Sequence, residues 1–263
     1  MQSLTKTAAA WAVISVAVTA GATTLSSQQS ASPAVAPVAK VTVAKTRTAA
    51  EAVAALKPAK PPVITLAPAA KPAVFASTDS ALRAKIRYET VKWGGKPVQT
   101  LDEQSRVLLA KAAANKAGLH EVGLGFQDVY GIIEAETSWI PRNGASKDGT
   151  ANLGLAQFEP RTAQGLGVTD PSDPVQAVFG AAMYMKTGAQ WASKKLAGLK
   201  LSPEQHAAKL REGVSVHYNL SIKGRNKWDG LNSAQLPIET QRHISNARAG
   251  AAEAAQLAKL LRA

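Results

Sequence analysis

Glu136 is the residue in this sequence whose position most suits proton chemistry. Phe126, Val129, Ile132 and Ile133 recur at helical spacing, and a further step of three or four residues along that apolar stripe reaches Glu136. A carboxyl group there must be paired, hydrogen-bonded or beside a cleft, because an unpaired buried charge is costly. A desolvated carboxyl holds its proton to higher pH, which is what a general acid working near neutral pH requires. The same position suits a buried ion pair or a helix-end cap, and periodicity alone does not separate these readings. Glu134 falls on another face of the helix.

The residues after Glu136 suit a binding loop. Arg142 to Asn152 is polar and Gly-rich, so it is expected to lack regular structure. It leads into Gly154-Leu155-Ala156-Gln157-Phe158, where a glycine would admit a ligand close to the backbone. Gln157 offers both a donor and an acceptor to an amide or a hydroxyl-rich ligand. The same residues also suit the start of an ordinary helix.

Helices are expected to position these groups. Ala81 to Tyr88 reads as a short helix and Trp93 to Val98 as a turn around Gly94-Gly95. Asp102 is a candidate N-cap for a helix carrying Val107, Ala110, Ala114 and Ala117 and ended by Gly118. The Glu136 helix runs from about Gly125 to Trp139, and a short one from Pro160 to Leu166 is closed by Gly167. Asp173-Pro174 starts a helix over Val175 to about Leu196, and Ser202-Pro203-Glu204-Gln205 is a capping-box start for one ending near Tyr218. Pro237-Ile238-Glu239-Thr240 opens a last helix that runs to the C-terminus. With no hairpin pairs and no βαβ alternation in view, the expected class is mainly α.

Composition divides the chain. Residues 1–25 read as an export segment: Lys6 flanks an uncharged run from Ala8 to Val18, and Ala20-Gly21-Ala22 is a small-residue cleavage pattern. A cleaved signal peptide is expected, with a membrane anchor through residues 8–25 as the alternative, since a span needs roughly 20 apolar residues. Residues 26–79 form an Ala/Pro/Val/Lys-rich linker, expected to be disordered and semi-rigid because seven of the 14 prolines fall between Ser30 and Val74. Residues 80–263 remain for a globular domain, exported to the periplasm or cell envelope.

The absence of cysteine excludes disulfides, thiolate nucleophiles and thiolate metal sites, and neither a metal nor another cofactor is expected. Thirty-one Lys and Arg against 18 Asp and Glu leave a net charge of +13, which favours polyanionic partners. The basic residues are scattered rather than gathered with aromatics, and an export segment leads away from cytoplasmic DNA. No nucleic-acid partner is therefore expected, and an anionic envelope polymer or lipid surface suits this charge better.

Five short motifs in fixed order resemble one family. Glu136-Thr137-Ser138-Trp139-Ile140-Pro141 resembles a Glu-Ser motif followed by an aromatic residue and a proline, and Gly154-Leu155-Ala156-Gln157 before Pro160 resembles Gly-Leu-Met-Gln. Gly180-Ala181-Ala182-Met183-Tyr184 resembles a Gly-Ala and Tyr helix, Tyr218-Asn219-Leu220-Ser221 partly matches Tyr-Asn-Ala-Gly, and Pro237-Ile238-Glu239-Thr240 resembles a Pro-x-Glu-Thr helix start. From roughly Val107 to Ile244 the chain thus resembles the soluble lytic transglycosylase catalytic domain of the lysozyme-like superfamily.

This resemblance implies a lysozyme-like helical domain that cleaves the β-1,4 bond between MurNAc and GlcNAc in peptidoglycan, leaving a 1,6-anhydro sugar. One glutamate serves as acid and then as base, with the substrate's N-acetyl group assisting, so no second carboxylate is required. Glu136 takes the acid/base role by this resemblance. Thr137, Ser138, Gly154, Leu155, Gln157, Phe158, Tyr184, Tyr218, Asn219 and Glu239 would border the substrate, with Gln157 binding it or orienting Glu136 and the Tyr218 phenol bonding near Glu136. Glu239 equally suits a structural carboxylate at a helix start. Peptidoglycan strands are the implied partner, with envelope, conjugation or phage machinery as possible settings and membrane contact only through an uncleaved N-terminal segment.

The sequence departs from the family's pattern where Thr137 replaces Ser, Ala156 replaces Met, and Leu220-Ser221 replaces Ala-Gly. Two rival functions follow. A muramidase hydrolysing the same bond would need a residue to position water, for which Asp148 is the nearby candidate, although Lys147-Asp148-Gly149 also reads as a plain turn. A wall-binding module without turnover is the other.

Overall fold

The computed structural model describes residues 79–146 and 148–261, so the expected export segment, and the linker up to residue 78, lie outside the described residues. Those described are mainly α-helical, as expected, and no helix among them is long and apolar enough to cross a membrane. Helix α1 (Asp79–Arg83) precedes a hairpin of β1 (Tyr88–Trp93) and β2 (Lys96–Leu101). Then come α2 (Glu103–Ala117), a 3-10 turn (Leu119–Val122), α3 (Phe126–Thr137), and the two-residue strands β3 (Gly144–Ala145) and β4 (Ala151–Asn152). Helices α4 (Pro160–Gly165), α5 (Pro174–Leu196), α6 (Pro203–Asn219), α7 (Ile222–Arg225) and α8 (Ile238–Leu260) complete the order.

The expected helix starts are built as their chemistry dictates. Asp102 accepts from Ser105 N at 2.7 Å to cap α2, and Gly118 ends it with φ +63°. Asp173 accepts from Gln176 N at 2.9 Å at the head of α5, with Pro174 in the first turn. Ser202 and Gln205 form the reciprocal capping box of α6.

The expectation of no hairpins was wrong. Tyr88 pairs with Leu101 through to Trp93 with Lys96, around Gly94-Gly95, whose φ values of +57° and +79° are what a two-residue hairpin turn of matching twist needs. The helix expected from Ala81 to Tyr88 consequently stops at Arg83, and Tyr88 belongs to a strand. The polar loop after α3 also holds regular structure, because Gly144 and Ala145 pair with Asn152 and Ala151. Helix α8 ends at Leu260, short of the terminus.

Helix α3 lies at the centre of the packing, most extensively against α8 and also against α2 and α5. The α3–α8 crossing depends on two glycines. A Cβ on Gly131 would stand 2.1 Å from Ala247 O, and one on Gly250 would stand 2.7 Å from Glu134 Cβ. Val129, Tyr130, Ile132 and Ile133 of α3 join one core with Leu109 of α2, Val178 and Met185 of α5, Val214 of α6 and Ala254 of α8. The apolar stripe that leads to Glu136 is therefore fixed in rotation about its axis by burial.

Candidate active site

Glu136 lies in the last turn of α3 with its side chain 14% exposed, and its Oε1 is 2.9 Å from Nε2 of His243. Helix α8 supplies His243 on a buried stripe with Thr240, Gly250, Ala254 and Ala258. The close crossing at Gly131 and Gly250 is what lets a side chain from α8 reach the end of α3. Glu134 instead faces α8 at Gly250, and burial, with the Glu253 charge adding to it, raises its pKa from the ordinary carboxyl value.

The chain leaves α3 under strain. Ser138 and Trp139 take φ values of +52° and +59°, a region that side-chain-bearing residues seldom occupy, and Gln157 in the facing turn has φ +50°. These are the non-glycine residues with positive φ among the described residues, and all belong to the two segments around Glu136. Surrounding contacts hold them. Trp139 is buried and its carbonyl accepts from the Thr100 hydroxyl on β2, although its Nε1 finds no partner among the described residues. The Arg142 guanidinium donates to Glu136 O at 2.7 Å and Thr137 O at 3.2 Å, placing a cation at the negative end of the α3 dipole. Its other neighbour is the exposed Trp93 ring of the hairpin, 5.5 Å from the guanidinium carbon.

Gly154 to Phe158 does not line a groove in the way expected. Leu153 and Phe158 pair through backbone bonds of 3.0 and 3.2 Å, making residues 154–157 a closed turn. A Cβ on Gly154 would lie 1.9 Å from Pro171 O, so its glycine serves a close approach of the chain to itself rather than to a ligand. Leu155 and Phe158 are 2% exposed and belong to the core. Thr137 is fully buried, and its hydroxyl donates to Leu155 O at 3.0 Å, so it ties α3 to this turn and offers no surface to a substrate. The Gln157 amide donates to Arg142 O at 2.7 Å and Gly154 O at 2.8 Å, so it braces the loop rather than orienting Glu136. Ser138 remains half-buried beside Glu136.

An aromatic wall stands on the other side. The Tyr218 ring stacks on the His243 ring at 6.2 Å and meets Tyr184 edge-on at 5.2 Å, with Phe158 stacked behind it at 6.2 Å. Burial first, and then the Glu136 charge, push the Tyr218 phenol well above its ordinary pKa. It stays protonated, but it donates to Ala156 O at 3.0 Å, not to Glu136 as expected. Tyr184 OH accepts from Arg225 at 3.4 Å. Asn219 is exposed and its Oδ1 accepts from Thr240 Oγ1 at 2.8 Å, which joins α6 to the start of α8. Glu239 is exposed in the first turn of α8 and suits the structural reading.

Asp148 is exposed and accepts from Thr150 N at 3.0 Å, a bond that lowers its pKa, so it behaves as the turn residue. No cluster of metal-ligating side chains occurs among the described residues. A separate cleft of about 310 Å³ between α3, α6 and α8 is lined by Ile132, Val214, Ile244 and Ala247, away from the Glu136 carboxyl. Its rim cations Arg211 and Arg248 are paired with Asp128 and Glu212.

Sequence reasoning missed His243 and Arg142. The stripe Thr240, His243, Ala247, Gly250, Ala254 was readable at helical spacing, and it places a histidine on the buried face of the last helix. For Arg142 no signal set it apart from other basic loop residues.

No family model matches the chain, and no solved structure matches it. Over 58 residues the chain is 38% identical to a protein of Enterobacteria phage PRD1 named Transglycosylase. That stretch is 22% of this chain and 21% of the phage protein, so the similarity covers about a fifth of each.

Proposed function

We propose that this protein is a peptidoglycan lytic transglycosylase acting through Glu136. The observation that carries the reading is the Glu136 carboxyl itself, largely withdrawn from water at the end of α3, with Oε1 held by His243 and aromatic rings alongside. The order of the five motifs and the partial likeness to the phage protein support the same reading.

In this mechanism Glu136 gives its proton to the glycosidic oxygen as the bond from C1 of MurNAc breaks. The substrate's acetamido oxygen bonds to C1 as it becomes positive, and Glu136 then accepts the proton of the 6-hydroxyl as the 6-oxygen bonds to C1 and displaces the acetamido oxygen. One carboxyl suffices because donor and acceptor steps alternate on the same group. A hydrolytic outcome would need a group to position water, and Asp148, bonded within its own turn, is poorly suited to it. The chain's +13 charge suits an anionic wall, and the N-terminal composition suits export to the envelope.

The test is release of soluble muropeptides from sacculi, read by mass spectrometry. The wild-type chain should release products with anhydro ends, one water lighter than reducing ends. Glu136→Gln should reduce release by about 10²-fold or more, since an amide neither gives nor takes the proton. Undiminished release by that variant, or reducing ends from the wild type, would sink the proposal.

A further inference from the structure

We infer that His243 is a positioning residue that gives the two oxygens of Glu136 separate tasks: its neutral Nε2–H form donates to Oε1 and leaves Oε2 as the oxygen that gives and takes the proton. The inference rests on Glu136 being the single acid/base.

The tautomer follows from the surroundings of the ring. His243 is 5% exposed, and its Nδ1 is buried with no hydrogen-bond partner among the described residues. An imidazolium, or the Nδ1–H form, would bury an N–H without an acceptor, whereas a bare ring nitrogen lacking a donor is the milder loss. A Glu136 hydroxyl donating to an unprotonated Nε2 would require that same disfavoured Nδ1–H form. The 2.9 Å contact is therefore an N–H donated to Oε1. The titratable groups facing the ring are Glu136 from α3 and Tyr218 from α6, whose hydroxyl is directed to Ala156 O; Glu239 stands one turn earlier on α8 and is exposed. None of them bonds Nδ1.

This arrangement suits a carboxyl that must serve twice. A neutral donor leaves the acid its proton, and its bond to Oε1 strengthens once Glu136 is ionised, because hydrogen bonds to charged acceptors are the stronger ones. In the first step the proton on Oε2 passes to the glycosidic oxygen, which also takes the electron pair of the breaking C1–O bond. In the second, the 6-hydroxyl oxygen bonds to C1 as the acetamido oxygen leaves C1 with the electron pair of its bond, and the hydroxyl proton passes to Oε2. The proton on Nε2 stays in place throughout, and no water is consumed.

The test compares full-length wild type, His243→Leu and His243→Gln on sacculi, with ¹⁵N NMR of the wild-type imidazole at neutral pH. His243→Leu fills similar volume without a donor and should lower kcat about 10- to 100-fold with little change in apparent KM, matching the loss of one hydrogen bond to a charged group. His243→Gln carries an amide N–H to a similar place and should lie nearer to wild type than to His243→Leu. The NMR should show the Nε2–H tautomer. Wild-type kcat in His243→Leu, equal losses in both variants, or an Nδ1–H or doubly protonated ring would overturn the inference. Thermal melting reports whether each variant folds; if His243→Leu does not, His243→Gln within tenfold of wild type supports the inference and a larger loss overturns it. A wild-type chain that releases no muropeptides would overturn the acid/base reading alone, and the tautomer then decides the hydrogen bond.

Discussion

Two glutamates two positions apart on α3 meet opposite environments, and the difference comes from the neighbours that the helix rotation selects. Glu136 turns toward a hydrogen-bond donor on α8, while Glu134 is pressed against the α8 backbone near Glu253. Burial holds the Glu134 pKa above its unfolded value, so the native state binds that proton more tightly than the unfolded chain. Its favourable contribution is therefore present at low pH and lost as pH rises through the folded value. Glu134→Gln should raise the melting temperature at pH 7 by about 1–3 °C and change it little near pH 4, as scanning calorimetry at both values would read. A lower melting temperature at pH 7 would mean that the Glu134 charge is stabilising. Glu136 was legible in the sequence because the apolar period that reaches it is local; its donor, 107 positions away, was not.

The α3–α8 crossing decides whether that donor arrives. Gly131→Ala would drive a Cβ to 2.1 Å from Ala247 O, and since backbone cannot yield as a flexible side chain does, α8 must shift. We expect a destabilisation of about 3 kcal/mol in urea unfolding, with muropeptide release falling at temperatures where the variant is still folded. Gly165, at the end of α4, has open space around its Cβ position, and Gly165→Ala should instead stabilise by roughly 0.5 kcal/mol through the unfolded state. Equal effects of the two substitutions would remove the close crossing as the reason for the glycine. Helix ends such as Asp102, Asp173 and Ser202 were readable beforehand because each cap is made within one turn. The β1–β2 hairpin was passed over because its strands are short and largely exposed, leaving little of the alternation that marks a half-buried strand.

Acid sensitivity belongs to the whole molecule, because protonation of buried groups couples to global unfolding. His217 is buried between Tyr184 and Trp191, at ring distances of 4.9 and 5.6 Å, and burial, then the Arg225 charge, lower its pKa to about 4. The unfolded chain takes up this proton near the ordinary histidine value of about 6.5, so the stabilisation is whole above that pH and is lost as pH falls toward 4. The loss should reach about 2 kcal/mol between pH 7 and pH 4.5, measured by urea unfolding, and His217→Gln should flatten that part of the profile. An unchanged profile in the variant would assign the acid sensitivity elsewhere. The sequence by itself determined the mainly helical class, most helix starts and the apolar stripe that carries Glu136 to the end of α3, since periodicity, caps and short motifs act over a few residues. Only the tertiary structure decided which groups meet Glu136. It brought in His243 from α8 and Arg142 from the loop, and it gave Thr137, Gly154 and Gln157 bonds and close approaches within the chain, because those outcomes depend on helix crossing and burial between distant segments.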